Sequence, residues 1–464
     1  MKKNTQTRRT FLKNTAVAAP MVVSARTLAL GATDISPNEK VRIGLIGCGN
    51  RCHAVVGGGL HWPDFQMAAV CDCFEPQIPR FLGRYPNVKW NAYTDFRKMI
   101  EKEKLDGVAI ETTTHARAWI AIQVLQMGVD AYIEKPMCLT IEEGRAMADA
   151  AKQNKCITQI GTQQRSIPLN NWACDLIAGG AIGKVKVVLA PNFIGPDPWV
   201  DQPAQPMPKG GPEGWWDVWT NAAPMRPYHS SIHRGWSRWA DYDAGGRCFG
   251  VSGWGTHSYD QVQRGLGTSE TGPVEVMLEE PVTITDTGKF EQREIGEDET
   301  GKRYYGMAKL VGPRAKVRMW YANGTELRLH LDGDRGPGLG CIFVGEDGKI
   351  EVNRDKITSN PTELLTGEDR AKTLGELGVS ETAPHVKNWI DCIKTRERAN
   401  ADIEFGHRST TICNLVNVVR EVGLVGKRLK WDPETEQFTN CDEANQNRWV
   451  SRPRREGYEL PKLG

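Results

Sequence analysis

From residue 41 onward, apolar and polar positions fall into two alternating periods. Short apolar runs of strand length, at 41–46, 66–71, 105–110, 130–133 and 156–160, are separated by stretches with helical spacing at 93–102, 118–127 and 141–153. The pattern reads as strands separated by helices over about 120 residues and predicts a parallel, doubly wound α/β sheet. After residue 185 the pattern changes. Residues 185–193 are strand-like and lead into a Pro/Gly-rich segment at 196–212. Further strands are expected at 273–278, 304–310, 315–321 and 327–331. Glu346-Asp347-Gly348-Lys349 reads as a hairpin turn between 341–344 and 350–352. Helices are expected at 386–393 and 408–422, and the last thirty residues are polar with little periodicity, suited to wrapping a surface or a neighbouring subunit. There are no internal repeats.

Composition narrows the classes. The chain of 464 residues carries 59 Lys+Arg against 57 Asp+Glu, a net charge of +2, without the basic footprint of a nucleic-acid binder. No stretch approaches the ~20 apolar residues of a membrane span, so no integral membrane segment is expected in the mature chain. The length allows two or three domains. With Gly 48 and Pro 26, neither a collagen-like repeat nor bulk disorder is expected.

The first thirty residues read as an address. Thr7-Arg8-Arg9-Thr10-Phe11-Leu12-Lys13, followed by a small apolar run at 16–23, forms a twin-arginine export signal. Cleavage is expected after Ala25 or near Gly31-Ala32, so residues 1–32 are assigned to the signal. Twin-arginine cargo crosses the inner membrane folded, which suits a protein loaded with its cofactor beforehand and implies a periplasmic destination. The 12 cysteines do not pair by obvious spacing despite that oxidising destination. Cys71 and Cys73 alternate along one strand, and Cys48 and Cys52 sit in a glycine-rich turn. Without paired CxxC, HxH or HExxH patterns, no metal site is expected.

The strand at 41–46 runs into Gly47-Cys48-Gly49-Asn50-Arg51-Cys52 and then a helix-like stretch. Gly47 permits a tight turn, Gly49 lets the backbone approach a pyrophosphate, and the helix N-terminus supplies free N–H groups. Cys52 stands where the third glycine of the usual fingerprint falls. The next strand ends at Asp72, 23 residues after Gly49, where a ribose-binding carboxylate is expected. Its charge disfavours a 2′-phosphate, so NAD is expected rather than NADP. Gly47, Asp72, Thr112, His115, Glu134 and Lys135 all lie at strand carboxyl ends, where ligands bind in such sheets. The candidate cofactor contacts are therefore Gly47, Cys48, Gly49, Asn50, Arg51, Asp72, Thr112, His115, Glu134 and Lys135. Lys135 follows an apolar strand and precedes Pro136, so its ammonium is aimed from a restrained element. Beside a nicotinamide it can hold a substrate hydroxyl and stabilise a developing alkoxide.

These residues resemble the Gfo/Idh/MocA oxidoreductases. The resemblance rests on the Gly47 turn, Asp72, the segment from Thr112 to His115, Glu134-Lys135-Pro136, Ile160-Gly161-Thr162-Gln163, Gly253-Trp254-Gly255-Thr256-His257, and the run from Asn400 to Arg408. It implies a Rossmann domain at 40–165, a C-terminal α/β domain at 166–430 whose open, mostly antiparallel sheet often mediates homo-oligomers, and a polar tail at 431–464. It also implies NAD(P)-linked chemistry on sugars, cyclitols or related polyols. Two positions depart from the family. Gly253 stands four residues before His257, where relatives often carry an Asp, so the orienting acid is either missing or comes from elsewhere, with Asp241, Asp243 and Asp260 as candidates. Arg117 stands where many relatives have a second His.

Seven of the 15 tryptophans fall between Trp199 and Trp254, interleaved with polar residues. Aromatic faces stack on the C–H faces of sugars, yet the same residues serve as packing in a long insertion. Trp219, Trp236 and Trp254, with Arg165 and Arg226, are the candidate substrate contacts. His257 is the candidate base, with His233 and Tyr228 behind it. Three functions remain open: an exported NAD-dependent oxidoreductase acting on a sugar or glycoside C–OH with tightly held cofactor, a redox-assisted glycoside hydrolase, and a non-catalytic sugar-binding protein with a vestigial NAD site.

Overall fold

A computed structural model of the chain describes Ser36 and residues 39–297, 303–331, 338–367 and 370–462. The twin-arginine segment lies outside the described residues. The first sheet is built from β1 (Val41–Ile46), β2 (Phe65–Cys71), β3 (Asn91–Tyr93), β4 (Gly107–Ile110), β5 (Asp130–Ile133) and β6 (Thr158–Ile160). Between them run α1 (Cys52–Leu60), α2 (Gln77–Leu82), α3 (Phe96–Glu103), α4 (Thr114–Gln126) and α5 (Ile141–Asn154). The strands are all parallel in the order β3-β2-β1-β4-β5-β6. Every residue of β4 and β5 is buried, as expected when helices cover both faces. Chain direction across the sheet reverses between β1 and β4, and that switch point opens a crevice at the strand carboxyl ends.

The helix expected from residue 93 starts three residues later. Asp95 is its N-cap, accepting from the Arg97 amide at 3.0 Å, while Asn91 to Tyr93 pair with β2 as the sixth strand.

The second sheet has nine strands. After α6 (Pro168–Ala178) come β7 (Val185–Pro191), α7 (Trp215–Thr220), α8 (Ser230–His233), α9 (Trp254–Leu266) and β8 (Glu275–Leu278). Then follow β9 (Thr283–Glu297), β10 (Arg303–Arg314), β11 (Val317–Trp320), β12 (Glu326–Leu331), β13 (Cys341–Gly345), β14 (Lys349–Asn353) and β15 (Lys356–Asn360). The chain continues through α10 (Leu374–Leu377), α11 (Ala383–Thr395), α12 (Ile403–Val422), β16 (Arg428–Asp432), β17 (Gln437–Phe438) and α13 (Asp442–Asn445). The order is β15-β14-β13-β7-β12-β11-β8-β16-β17, with only β7 and β12 parallel. The hairpin of β9 and β10 pairs as a separate two-stranded sheet.

Helix α12 packs against α9 and α5 and so ties the two sheets together. Val188, Leu327, Phe343, Ile412 and Val416 lie fully buried in the core it shares with the nine-stranded sheet. The segment from residue 431 completes that sheet and then returns to the first. The carbonyls of Trp449 and Val450 accept from the amides of Ile141 (3.0 Å) and Glu142 (2.9 Å) at the start of α5. Among the described residues, no helix is long and apolar enough to cross a membrane, no cysteine forms a disulfide, and no cluster of His, Cys, Asp or Glu is arranged to hold a metal.

Candidate active site

The turn after β1 sets the first part of the site. Gly47 sits at φ +94°, and a Cβ there would stand 2.9 Å from the Glu111 carbonyl, so the position requires glycine. Gly49 faces open space, with no atom within 4 Å of where its Cβ would stand. Asp72 clamps the turn from the end of β2. Its carboxylate accepts from the Cys48 amide and from the Phe74 amide, both at 2.9 Å. Burial pushes the Asp72 pKa up to about 6, against the pull of those two amides. Beyond the turn lies a cavity of about 780 Å³ bordered by Gly47, Gly49, Asn50, Arg51, Asp72 and Thr112. This volume is in the range of cofactor sites. The open face of Gly49, the adjoining start of α1 and the buried, unpartnered Thr112 hydroxyl suit a dinucleotide's diphosphate and sugar.

The second part of the site forms where β4 and β5 end. The Lys135–Pro136 bond is cis, and Lys135 Nζ donates to the Gly253 carbonyl at 3.2 Å. Burial lowers the Lys135 pKa, although Glu134 beside it works the other way. Gly253 precedes α9, whose first turn carries His257. The imidazole is buried, its Nδ1 has no partner, and burial together with the Lys135 charge holds its pKa well below the ordinary histidine value. The chain thus brings Lys135 and His257 together across 118 residues between Lys135 and Gly253.

Of the three candidate acids, Asp243 is the one whose charge acts on Lys135. It is fully buried and accepts from Thr114 Oγ1 (2.6 Å), Ser252 Oγ (3.2 Å) and the Gly246 amide. Its charge reaches Lys135, and burial raises its own pKa to about 6. The other two candidates are committed elsewhere: Asp241 pairs with Arg226 (2.6 Å), and Asp260 with Arg165 (2.8 Å) and Ser409 (2.7 Å).

Sequence reasoning missed Glu111. It ends β4 and borders the cavity, and both carboxyl oxygens are buried without a partner. Burial and the neighbouring Glu134 push its pKa to about 8, opposed by Arg51, Arg117 and Lys135. Glu134 in turn accepts from Arg51 Nε at 3.2 Å, fixing that guanidinium over the cavity. Arg117, the second departure, is a buried brace: its guanidinium donates to the carbonyls of Pro136 and Thr112, joining the ends of β4 and β5.

Several expected contacts fall outside the cavity, among them Glu134, Lys135 and His257, which lie behind its border at Arg51 and Glu111. His115 is fully buried, with Nε2 2.8 Å from the Trp219 carbonyl, and burial drops its pKa to about 3; it is core. Cys48 contributes only its backbone to the turn, since its side chain is buried and its carbonyl accepts from Gln77 Nε2 at 2.7 Å. Arg165 is consumed by its buried pair with Asp260. Arg226, paired with Asp241, lies 5.1 Å over the Trp199 ring. Trp254 packs on Phe249 at 4.1 Å. Tyr228 belongs to an aromatic core with Phe74, Trp215, Trp216, Trp239 and Tyr242, and its hydroxyl lies 3.3 Å from His233 Nδ1. His233, Trp219 and Trp236 do border the cavity. His233 stands on Phe74 and Trp215 at the Asp72 end, away from the Lys135 contact with Gly253. The tryptophan stretch therefore divides: Trp215, Trp216 and Trp239 are packing, while Trp219 and Trp236 are wall.

Fold and site together define an α/β protein with a dinucleotide crevice beside a buried lysine and histidine. The description "Oxidoreductase family, NAD-binding Rossmann fold" matches residues 41–162, and "Oxidoreductase family, C-terminal alpha/beta domain" matches 184–297 and 307–460. The chain belongs to the Gfo/Idh/MocA oxidoreductase family, and its N-terminal domain is the NAD-binding one. Among curated relatives, a glycosyl hydrolase family 109 protein of a Shewanella species is 29% identical over 171 residues, 32% of this chain and 37% of the relative. An alpha-N-acetylgalactosaminidase from Shewanella oneidensis is 28% identical over the same shares. The match thus spans little more than a third of these relatives. The WlbA dehydrogenase from Bordetella pertussis, solved with NADH and UDP-GlcNAcA, shares the fold with a TM-score of 0.55 at 14% identity, over 85% of this chain and 99% of that one.

Proposed function

We propose that the protein is an NAD-dependent oxidoreductase acting on a C–OH group of a sugar, glycoside or related polyol. The observation that carries this reading is the pairing of Lys135 with Gly253 one helical turn from His257, at the carboxyl ends of the Rossmann strands. The dinucleotide supplies hydride acceptance at its nicotinamide C4. Lys135 Nζ holds the substrate oxygen and stabilises its developing charge. His257, neutral through the physiological range and with Nδ1 unpartnered, receives the hydroxyl proton. Asp243 acts on Lys135 through its charge, and Glu134 positions Arg51. Trp219 and Trp236 wall the cavity.

The twin-arginine segment supports an exported protein that acquires its cofactor before crossing the membrane. A compartment without a free nicotinamide pool then requires the cofactor to stay bound and the redox cycle to close on the enzyme. Names among the curated relatives favour one way of closing it: glycoside hydrolysis by transient oxidation, elimination of the aglycone, hydration and re-reduction.

A panel of glycosides mixed with NAD-loaded protein separates these readings. A transient reduced-nicotinamide absorbance band is expected in both. Oxidised sugar product marks the oxidoreductase, and free sugar without net NADH marks the hydrolase. Sugar binding with neither band nor product across the panel would overturn the catalytic reading.

A further inference from the structure

The end of the chain enters the dinucleotide cavity. Glu456, Gly457 and Tyr458 border it together with the Gly49 turn and Asp72, and lie 340 residues or more from the last strand residues of the Rossmann sheet's switch point in β4. The family's nucleotide domain ends at residue 162, so nothing in the dinucleotide fingerprint calls for these residues.

The segment is fixed at its base. Glu143, fully buried on α5, accepts from Arg452 Nε at 2.9 Å and from Arg454. Arg452 also donates to the His115 carbonyl at 2.9 Å. Beyond this anchor the chain crosses to the aromatic stretch. Arg455 donates to Asp217 Oδ1 at 2.7 Å and to the Asn221 carbonyl at 2.7 Å, and Tyr458 donates its hydroxyl to Asp217 Oδ2 at 2.7 Å. The Tyr458 ring lies 5.2 Å from Trp119, which itself borders the cavity. Gly457, between the two latching side chains, holds φ +83°, a conformation that favours glycine.

We propose that residues 455–458 are part of the NAD site: a strap, latched to Asp217, that roofs the crevice so that bound dinucleotide leaves only when the latch opens. The proposal rests on the NAD-dependent reading above and supplies its retention step. Two other borders of the cavity, the Gly49 turn and the ends of β2 and β4, belong to the Rossmann sheet. The border at 456–458 is joined to 217–221 chiefly through the Asp217 carboxylate, with the Asn221 carbonyl beside it. Release then requires local opening of that junction, and the opening free energy adds to the barrier for dissociation. The same barrier opposes entry, so the strap governs residence time more than it governs which nucleotide is chosen.

The test compares the unmodified chain with the double variant Arg455→Ala/Tyr458→Ala and with Asp217→Asn. Each is loaded with NADH, and release is followed by chasing with excess NAD while monitoring energy transfer from tryptophan to bound NADH. The proposal expects release at least tenfold faster in both variants, with unchanged far-UV circular dichroism. Equal release rates from folded variants would overturn it and leave the NAD reading intact. Failure of the unmodified chain to bind either nucleotide would overturn both. Hydrogen exchange on the unmodified chain provides a reading free of any folding defect: NAD is expected to slow exchange at the amides of 455–458, and unchanged exchange there would contradict the strap.

Discussion

Gly47 and Glu111 mark the two kinds of residue that make the site. Gly47 is demanded by backbone geometry, since its φ of +94° and the Glu111 carbonyl at 2.9 Å from a Cβ leave no room for a side chain. Gly47→Ala is expected to destabilise the protein by about 1–3 kcal/mol, measured by urea denaturation. Glu111 is demanded by nothing in the fold and is costly when ionised. It binds its proton more tightly folded than unfolded, so its stability contribution is full at acid pH and is lost as pH rises from 4.5 through about 8. Glu111→Gln, which is uncharged, is expected to flatten the fall of the melting temperature across that window; an unchanged slope would show that Glu111 ionises freely. At the reacting centre, His257→Asn and Lys135→Met are each expected to lower turnover by about 10²–10⁴-fold while leaving NAD binding by fluorescence titration within a few-fold of the unmodified chain.

The residues legible in the sequence were those whose role depends on neighbours close along the chain. Gly47, Gly49 and Asp72 announce themselves by strand, turn and spacing, and Lys135 by its strand and proline. Asp243 was one of three acids that no local pattern could rank, because Thr114, Ser252 and Lys135 reach it from separate segments. Glu111 carries no local signal, since a single acid after a strand reads as a solvated charge. His115 misled for the opposite reason: its position at a strand end is right, yet Trp219 and Tyr242 from the second domain close over it.

At the scale of elements, periodicity worked where a segment is buried on a regular face and failed where it is short or irregular. The buried strands β4 and β5 stand within their expected segments. Strand β3 has three residues, two of them exposed, and offers no apolar run to detect. The final segment lacks periodicity because its buried residues, Trp431, Phe438, Trp449 and Val450, are irregularly spaced, and beyond them it is held by arginines. Its anchor makes a prediction of its own. Glu143 is buried against Arg452 and Arg454, whose side chains are 9% and 7% exposed. Removing one partner of a buried ion cluster leaves uncompensated charge. Glu143→Ala is therefore expected to cost about 3–5 kcal/mol in a denaturation titration, far more than the ~0–1 kcal/mol expected from breaking the exposed pair of Lys186 and Glu346 with Lys186→Ala. Similar losses from the two substitutions would mean that the final segment is not fixed at α5.

Across the whole molecule, the Rossmann sheet provides the crevice, the second domain provides His257 and Asp243, and the end of the chain borders the cavity. The site is thus complete only when distant parts of one polypeptide have met. The central claim is that the Gly49 crevice holds NAD and keeps it. The most direct measurement is mass spectrometry of the small molecules released on denaturing gently purified protein. The account predicts near-stoichiometric NAD or NADH from the unmodified chain and its loss from Gly49→Val, which would fill the open face of the turn. An unmodified chain that releases no nicotinamide nucleotide, and acquires none when incubated with NAD, would contradict it.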